Sequence, residues 1–382
     1  MAVSRYQSLP SRVAFGKGAL SELGALAAEL GCRRVMVICT RSQVPVAERA
    51  MTILGEAAGA LYPHAAMHTP VEVTEEAMRT VEAERIDGLV AIGGGSAIGL
   101  GKAIALHTDL PQVCVPTTYA GSEMTPVVGQ TEDGKKTTQR SAKVLPEAVI
   151  YDVELSLGLP IPVSVVSGFN AVAHAVEGLY ARSPNPLLLA IAEEAVRLMA
   201  HALPRIVVTP DDEAARTQAL EAAWLGGWSL ATGGSALHHR LCHILGGAFG
   251  LPHAETHAIL LPHVLAFNAP EVPEAMERLK RALGAAYPAE TLFDLGQSLG
   301  APFALKDIGL PEAGIDQAVA AVLAEPAWNP RPLEEGPLRD LLRRAWAGEQ
   351  PRVGRRARMF SSKAGGAPFP AFGRTSPRGG RS

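Results

Sequence analysis

Gly88-Leu-Val-Ala-Ile-Gly-Gly-Gly-Ser-Ala-Ile-Gly-Leu-Gly-Lys102 is a wholly apolar run that breaks into three glycines and then resumes with helical spacing. A short apolar run without alternation is the pattern of a strand buried on both faces, and a helix directly after it belongs to a parallel sheet. Gly93, Gly94 and Gly95 let the backbone turn tightly and approach a ligand with no Cβ in the way. The amides freed at the start of the helix, Ser96 among them, suit a phosphate. The spacing is not the G-x-G-x-x-G of a first βα turn, and Lys102 is not followed by Ser or Thr as in a P-loop. A glycine turn needed only for helix–strand packing would read the same, so the phosphate reading draws on what surrounds it.

Before this segment, Arg34-Val-Met-Val-Ile-Cys-Thr40 follows a helix stop at Gly31, and the periodic stretch from Val73 to Glu84 is helical. After it, Gln112-Val-Cys-Val-Pro116 is a third buried strand, ending in Thr117-Thr-Tyr-Ala-Gly-Ser122 and Glu123. Hydroxyls at a strand's carboxyl end lie where open α/β sheets bind ligands. Asp133-Gly134, between Val127-Val128 and Lys143-Val144, predicts a hairpin beside the sheet. Beyond Leu159-Pro160 nothing strand-like follows: 163–182, 187–203, 212–230 and 235–249 read as helices, and the final helix of the chain is expected to end near Trp346-Ala347-Gly348. The expected organisation is an α/β dinucleotide-binding domain with a parallel sheet over 1–160 and an all-α substrate domain over 161–349. A basic tail, expected to be disordered, covers 350–382.

The chain has 382 residues, 47% hydrophobic and 19% charged, with a net charge of −3, which supplies a core and argues against a dedicated nucleic-acid binder. The tail carries eight basic residues and no acidic ones, so the body is markedly acidic. No segment reaches the ~20 apolar residues of a membrane span, and the N-terminus lacks a signal-peptide core. Cys32, Cys39, Cys114 and Cys242 are scattered without C-x-x-C spacing, so the compartment reads as cytoplasmic.

Histidines crowd the stretch from His174 to His263. Asn170 and His174 share a helical face, as do His239 and His243, and His253 follows Leu251-Pro252. Imidazoles in such groups bind metals, hold anions or pass protons near neutral pH. His238, His257 and His263 are read as structural.

Together these segments resemble the iron-containing alcohol dehydrogenase superfamily, and within it the maleylacetate reductase branch. The likeness runs from about Ser11 to Trp346 and is carried by Gly93–Ser96, Pro116–Thr125, Gly168-Phe-Asn-Ala-Val-Ala-His174, His238-His-Arg-Leu-Cys-His-Ile-Leu-Gly-Gly247 and Leu251-Pro-His253. It implies NADH bound by Gly93, Gly94, Gly95, Ser96, Thr117, Thr118 and Ser122, with Thr40 near the adenosine and Lys143 on the nicotinamide ribose. It also implies a homodimer paired through the N-terminal region. Arg41, where NADH-selective members often carry an Asp nearby, leaves room for NADPH. Metal-dependent members hold Fe²⁺ or Zn²⁺ with one Asp and three His, which map onto Asn170, His174, His239 and His253.

The amide at Asn170 removes the only anion from that set, so no metal is expected; a retained ion would rest on His174, His239 and His253. The resemblance implies a dicarboxylate enone, maleylacetate, reduced at its C=C bond to 3-oxoadipate in aromatic-compound breakdown. Hydride addition leaves an enolate that hydrogen-bond donors can stabilise. His243 and His253 are expected to donate the proton and contact the oxyanion, with His174, His239 and Asn170 orienting the substrate. Cationic histidines would also attract a dianion. The alternatives are a metal-dependent alcohol or polyol dehydrogenase, a metal-dependent sugar-phosphate cyclase of related architecture, and a nucleotide-binding scaffold without turnover.

Overall fold

The computed structural model describes residues 12–132, 135–325 and 327–353. Nearly all of the basic tail, and the Asp133-Gly134 turn, lie outside them. The first part is an α/β unit of strands β1 (Arg12–Gly16), β2 (Val35–Ile38), β3 (Ala58–Tyr62), β4 (Gly88–Gly93) and β5 (Gln112–Pro116). The hairpin strands are β6 (Val127–Glu132) and β7 (Lys135–Arg140), and β8 (Ala148–Asp152) returns to the sheet. Its helices are α1 (Leu23–Glu29), α2 (Val44–Leu54), α3 (Val71–Ala83), α4 (Gly95–Thr108) and the short α5 (Val153–Leu157).

The main sheet is ordered β1-β8-β5-β4-β2-β3, and every neighbouring pair is parallel. β2, β4, β5 and β8 are buried along their whole length, which is why β2, β4 and β5 show in the sequence as short apolar runs. From β2 the chain steps outward to β3 at one edge, then returns to β4 and proceeds to β5 and β8 on the other side. The order therefore reverses between β2 and β4, and the crevice beyond their carboxyl ends is where such sheets take ligands.

The hairpin forms an antiparallel pair, in register from Val127 with Arg140 to Glu132 with Lys135. It lies over α4, where Val128 packs with Ala103 and Val144. Its second strand ends at Arg140, so Lys143 sits in a 3₁₀ turn, Ala142–Val144, rather than in a strand.

The second part is helical: α6 (Ile161–Leu179), α7 (Pro186–Val208), α8 (Glu213–Gly233), α9 (Leu237–Phe249) and α10 (His253–Asn268). Then follow α11 (Pro273–Leu283), α12 (Pro288–Ser298), α13 (Gly314–Ala324) and α14 (Glu335–Ala347). Asn185 and Asp212 cap α7 and α8 by accepting the N–H of Leu188 and Ala215, at 2.9 and 3.0 Å. Helix α6 is buried on every side from Ser164 onward, and its small residues allow this. A Cβ at Gly168 would lie 2.9 Å from Leu203, so α6 and α7 touch almost backbone to side chain. One core cluster joins the two parts, with Ile98, Cys114, Tyr119 and Tyr151 of the sheet unit packing among residues of α6, α7 and α8. All four cysteines are buried and unlinked.

Candidate active site

Two loops leave the carboxyl ends of adjacent strands and meet. The N–H of Thr117, after β5, donates to the Gly93 carbonyl after β4 at 3.0 Å. A Cβ on Gly94 would come within 3.0 Å of the Thr118 side chain, whereas one on Gly95 would meet nothing within 4 Å. Gly94 is the N-cap of α4, a helix of 14 residues, so unpaired amides of its first turn open onto the space beside Gly95. Ser96, Thr118 and Ser122 are half-buried along this rim. Thr40, just past β2, bonds its hydroxyl to that of Ser42 at 3.1 Å, with Arg41 exposed beside it. The set fits a dinucleotide: phosphate at the α4 terminus, its two halves reaching toward β2 and β5.

Lys143 is not part of this set, which corrects the expected ribose contact. Its ammonium lies 3.5 Å from Asp109, the C-cap of α4. A helix of that length is ~20 Å long, so Lys143 stands at the far end from the glycine loop.

The lysine that does serve the loop is Lys102, fully buried on α4. Its ammonium donates to the carbonyls of Ser122, Thr125 and Val127 and to the Thr125 hydroxyl, the last three at 2.7, 3.0 and 3.0 Å. Burial pulls its pKa down to about 8. Arg216 of α8, also wholly buried, does the same from the other side. Its guanidinium donates to Tyr119 Oη at 3.2 Å, Ser164 Oγ at 2.8 Å and the carbonyls of Leu159 and Pro210 at 3.0 and 2.9 Å. Neither cation was apparent as functional in the sequence, because their acceptors are mostly main-chain carbonyls far along the chain.

The histidines come to the loop through α6. Asn170 Nδ2 donates to the Ala120 carbonyl at 3.3 Å. A Cβ on Gly121, whose φ is +74°, would meet His174 Nδ1 at 2.9 Å. Gly227 of α8 closes the same seam, since a Cβ there would lie 2.5 Å from the Gly121 carbonyl oxygen. Side chains are excluded between Gly121 and Gly227, where α8 meets the 117–122 loop as backbone, while α6 reaches the loop through the Asn170 and His174 side chains.

Around His174 the rings form a cluster. His239 stacks on it with centroids 5.0 Å apart, and His257 meets His174, His239 and His253 edge-on at 6.2, 4.8 and 4.4 Å. His243 lies 6.3 Å from both His239 and His253. The turn at Gly250-Leu251-Pro252 makes this possible: Gly250, at φ +65°, ends α9, and Pro252 starts α10 with His253 in its first turn. The five expected residues Asn170, His174, His239, His243 and His253 are thus brought together. His257, read as structural from sequence, joins them. His263 does not: it packs edge-on against Phe293, and burial pushes its pKa down to about 4.

Burial, reinforced by His239 and His253, holds His174 well below the ordinary imidazole range. It is neutral near pH 7, so the expected attraction of a dianion to cationic imidazoles fails at this residue. Glu177, one turn beyond it on α6, is 1% exposed. It accepts from His239 Nδ1 at 2.6 Å and from the N–H groups of Ala236 and His238 at 2.9 and 2.8 Å. The carboxylate accepts from the two backbone N–H groups as well, so His239 donates from Nδ1 and Nε2 is the nitrogen it leaves for the site. Sequence reading missed Glu177; its partners are about 60 residues away.

Five buried polar atoms here lack hydrogen-bond partners among the described residues: Asn170 Oδ1, His174 Nδ1, His238 Nδ1, His239 Nε2 and His257 Nε2. Each such atom costs ~1–3 kcal/mol when left unsatisfied, which marks a place built for a ligand. For a divalent metal the fit is incomplete. His239 is oriented by a carboxylate in the manner of many metal-bound imidazoles. The corresponding protein donors, however, are an amide and three imidazoles, with no anion among them. Asn170 already uses its N–H₂ on Ala120, a contact a carboxylate would turn into repulsion between two oxygens.

Residues 10–153 match the family described as iron-containing alcohol dehydrogenase, and residues 164–346 match the Fe-containing alcohol dehydrogenase family, C-terminal. The chain is 48% identical to a maleylacetate reductase of Sphingobium indicum over 346 residues, covering 91% of this chain and 98% of the relative. It is 49% identical to a maleylacetate reductase of Burkholderia cepacia, covering 89% and 97%. The crystal structure of maleylacetate reductase from Agrobacterium tumefaciens superposes with a TM-score of 0.88 at 46% identity, over 92% of this chain and all of that one.

Proposed function

Because the chain belongs to the iron-containing alcohol dehydrogenase family, we propose that it works as a maleylacetate reductase, reducing the carbon–carbon double bond of maleylacetate to give 3-oxoadipate in aromatic-compound degradation. The observation that carries the reading is the direct seat of Asn170 and His174 on the 120–121 loop, which puts the histidine cluster against the cofactor rim.

NADH, when bound, supplies the hydride. Gly93–Ser96 and the α4 terminus hold its pyrophosphate, Thr117, Thr118 and Ser122 flank the nicotinamide half, and Thr40 lies toward the adenosine. Arg41 admits NADPH as well, since no carboxylate stands beside it to repel a 2′-phosphate. Hydride delivered to the alkene carbon β to the ketone leaves a delocalised enolate. His243 and His253 donate to its oxygen and return a proton to the adjacent carbon, while Asn170 and His174 orient the substrate. His239, with Nδ1 fixed on Glu177, turns its Nε2 toward the same cluster. Because the acceptor is a conjugated enone, no Lewis acid is required and no resident metal is part of the reading. The protein is read as a cytoplasmic homodimer pairing through its N-terminal part, and among the described residues no helix is long and apolar enough to cross a membrane.

The carboxylate behind His239 favours one second reading, a metal-dependent alcohol dehydrogenase. Chelator-stripped protein assayed for NADH oxidation with fresh maleylacetate, with and without Zn²⁺ or Fe²⁺, separates the two. Full activity after stripping supports metal-free enone reduction; activity restored only by metal favours the second reading.

A further inference from the structure

His257 is wholly buried, on the same face of α10 as His253 and one turn below it. Its Nδ1 lies 2.9 Å from His238 Nε2, and Cys242 Sγ lies 3.8 Å from that same nitrogen. Among the described residues His238 Nδ1 has no hydrogen-bond partner. The two rings share one proton across this contact, so among the described residues either His238 Nδ1 or His257 Nε2 carries the N–H that has no acceptor. The arrangement in which His238 Nε2 donates to His257 Nδ1 leaves that N–H on His257 Nε2, where a substrate oxygen can accept it. That Nε2 is itself buried and unpartnered, on a ring that touches His174, His239 and His253.

We infer that His257 is a further substrate-contacting residue of this site, whose Nε2–H, fixed by the bond from His238, donates to an oxygen of a dicarboxylate enone. The inference rests on the enone-reduction reading. The two histidines differ in role: His257 touches the substrate, and His238 is a positioning residue that sets its tautomer. His243 and His253 return the proton to carbon, whereas His257 presents a donor that only holds an oxygen, so the site distinguishes the atom that receives a proton from the atom that is only held.

The test compares wild type, His257→Leu, His257→Gln, His238→Leu and His238→Gln for maleylacetate turnover, NADH affinity by fluorescence and thermal midpoint. Removing one preorganised donor of this kind costs about 10²-fold in turnover. We expect that loss in kcat for His257→Leu, with NADH affinity within about threefold, and partial recovery in His257→Gln, whose amide still donates. His238→Leu should lower kcat by about tenfold or more while His238→Gln, which keeps an N–H for His257 Nδ1, recovers most of it. Equal activity of the two His238 variants overturns the tautomer assignment, and undiminished kcat in His257→Leu overturns the substrate contact. If His257→Leu does not fold, the His238 pair and His257→Gln decide. A wild-type enzyme inert toward maleylacetate refutes the functional reading instead, and with it the premise of this one.

Discussion

Oε2 of Glu177 lies 2.6 Å from Nδ1 of His239, and the same carboxylate receives the first free amides of α9. One acid therefore both caps the helix that carries His238, His239 and His243 and fixes the proton of a site imidazole. In Glu177→Gln, an amide must replace three accepted hydrogen bonds with one acceptor oxygen. Turnover should fall about 10–100-fold, as when partners behind functional histidines are removed. Stability should drop by about 2–3 kcal/mol, from hydrogen bonds to a charged group. Steady-state kinetics and urea unfolding check both; unchanged kcat would separate the carboxylate from the chemistry.

Glu123 is buried, accepts from Tyr151 Oη at 2.9 Å, and has its pKa pushed up to about 6, chiefly by loss of solvent. The folded state thus binds its proton more tightly than the unfolded chain. That contribution is complete below the unfolded value near 4.5 and is lost as pH rises through about 6. Glu123→Gln keeps an acceptor for Tyr151 and never ionises. It should be more stable than wild type by about 2 kcal/mol at pH 8, from ~1.4 kcal/mol per pKa unit, with the difference closing toward pH 4.5. A constant gap across that window would contradict the assignment. His174, His238 and His257 act in the opposite sense: their depressed values make both proteins lose stability as pH falls below 6.5.

Arg216 is a buried cation whose acceptors are two carbonyls and two hydroxyls. In Arg216→Met those acceptors lose their shared donor while the volume stays nearly filled. Breaking a buried charged network typically costs about 3–5 kcal/mol. Because Tyr119 sits within the cofactor loop, NADH affinity should weaken alongside the thermal midpoint. A midpoint shift with unaltered NADH affinity would show that the loop is held without it.

Arg41 is exposed next to Thr40, at the carboxyl end of β2. Arg41→Asp places a carboxylate where a 2′-phosphate would lie and where a ribose hydroxyl can donate. The ratio of kcat/KM for NADH over NADPH should rise about tenfold or more, a like-charge penalty of over ~1.4 kcal/mol. An unchanged ratio would remove Arg41 from cofactor selection.

Much of this arrangement is written locally. The β4–glycine–α4 segment, the hydroxyl loop after β5 and the four-residue spacings of the histidines are all short-range patterns, and the structure brings the three into contact. β1, β3 and β8 were not read as strands. β3, Ala-Gly-Ala-Leu-Tyr, is only half-buried at an edge and carries no alternation to identify it. What escaped at the site was pairing over distance: Glu177 with His239, Arg216 with Tyr119, and His238 with His257 depend on helices meeting, which no spacing along the chain encodes. Lys143 erred the other way, because its nearness in sequence to the hairpin hid its place at the wrong end of α4.

The seam where Gly121, Gly227 and His174 touch has a mechanical consequence. Gly121 and Gly227 meet main chain to main chain, and the His174 and Asn170 side chains fill the other side, so the 117–122 loop is held to α8 and α6 with no room for an added methyl group. A hinge between the sheet and the helices cannot run through that junction. The turn after β4 is tied to the same junction through Thr117 and Thr118, which leaves the segment after β2 as the lip of the cofactor rim that this seam does not hold.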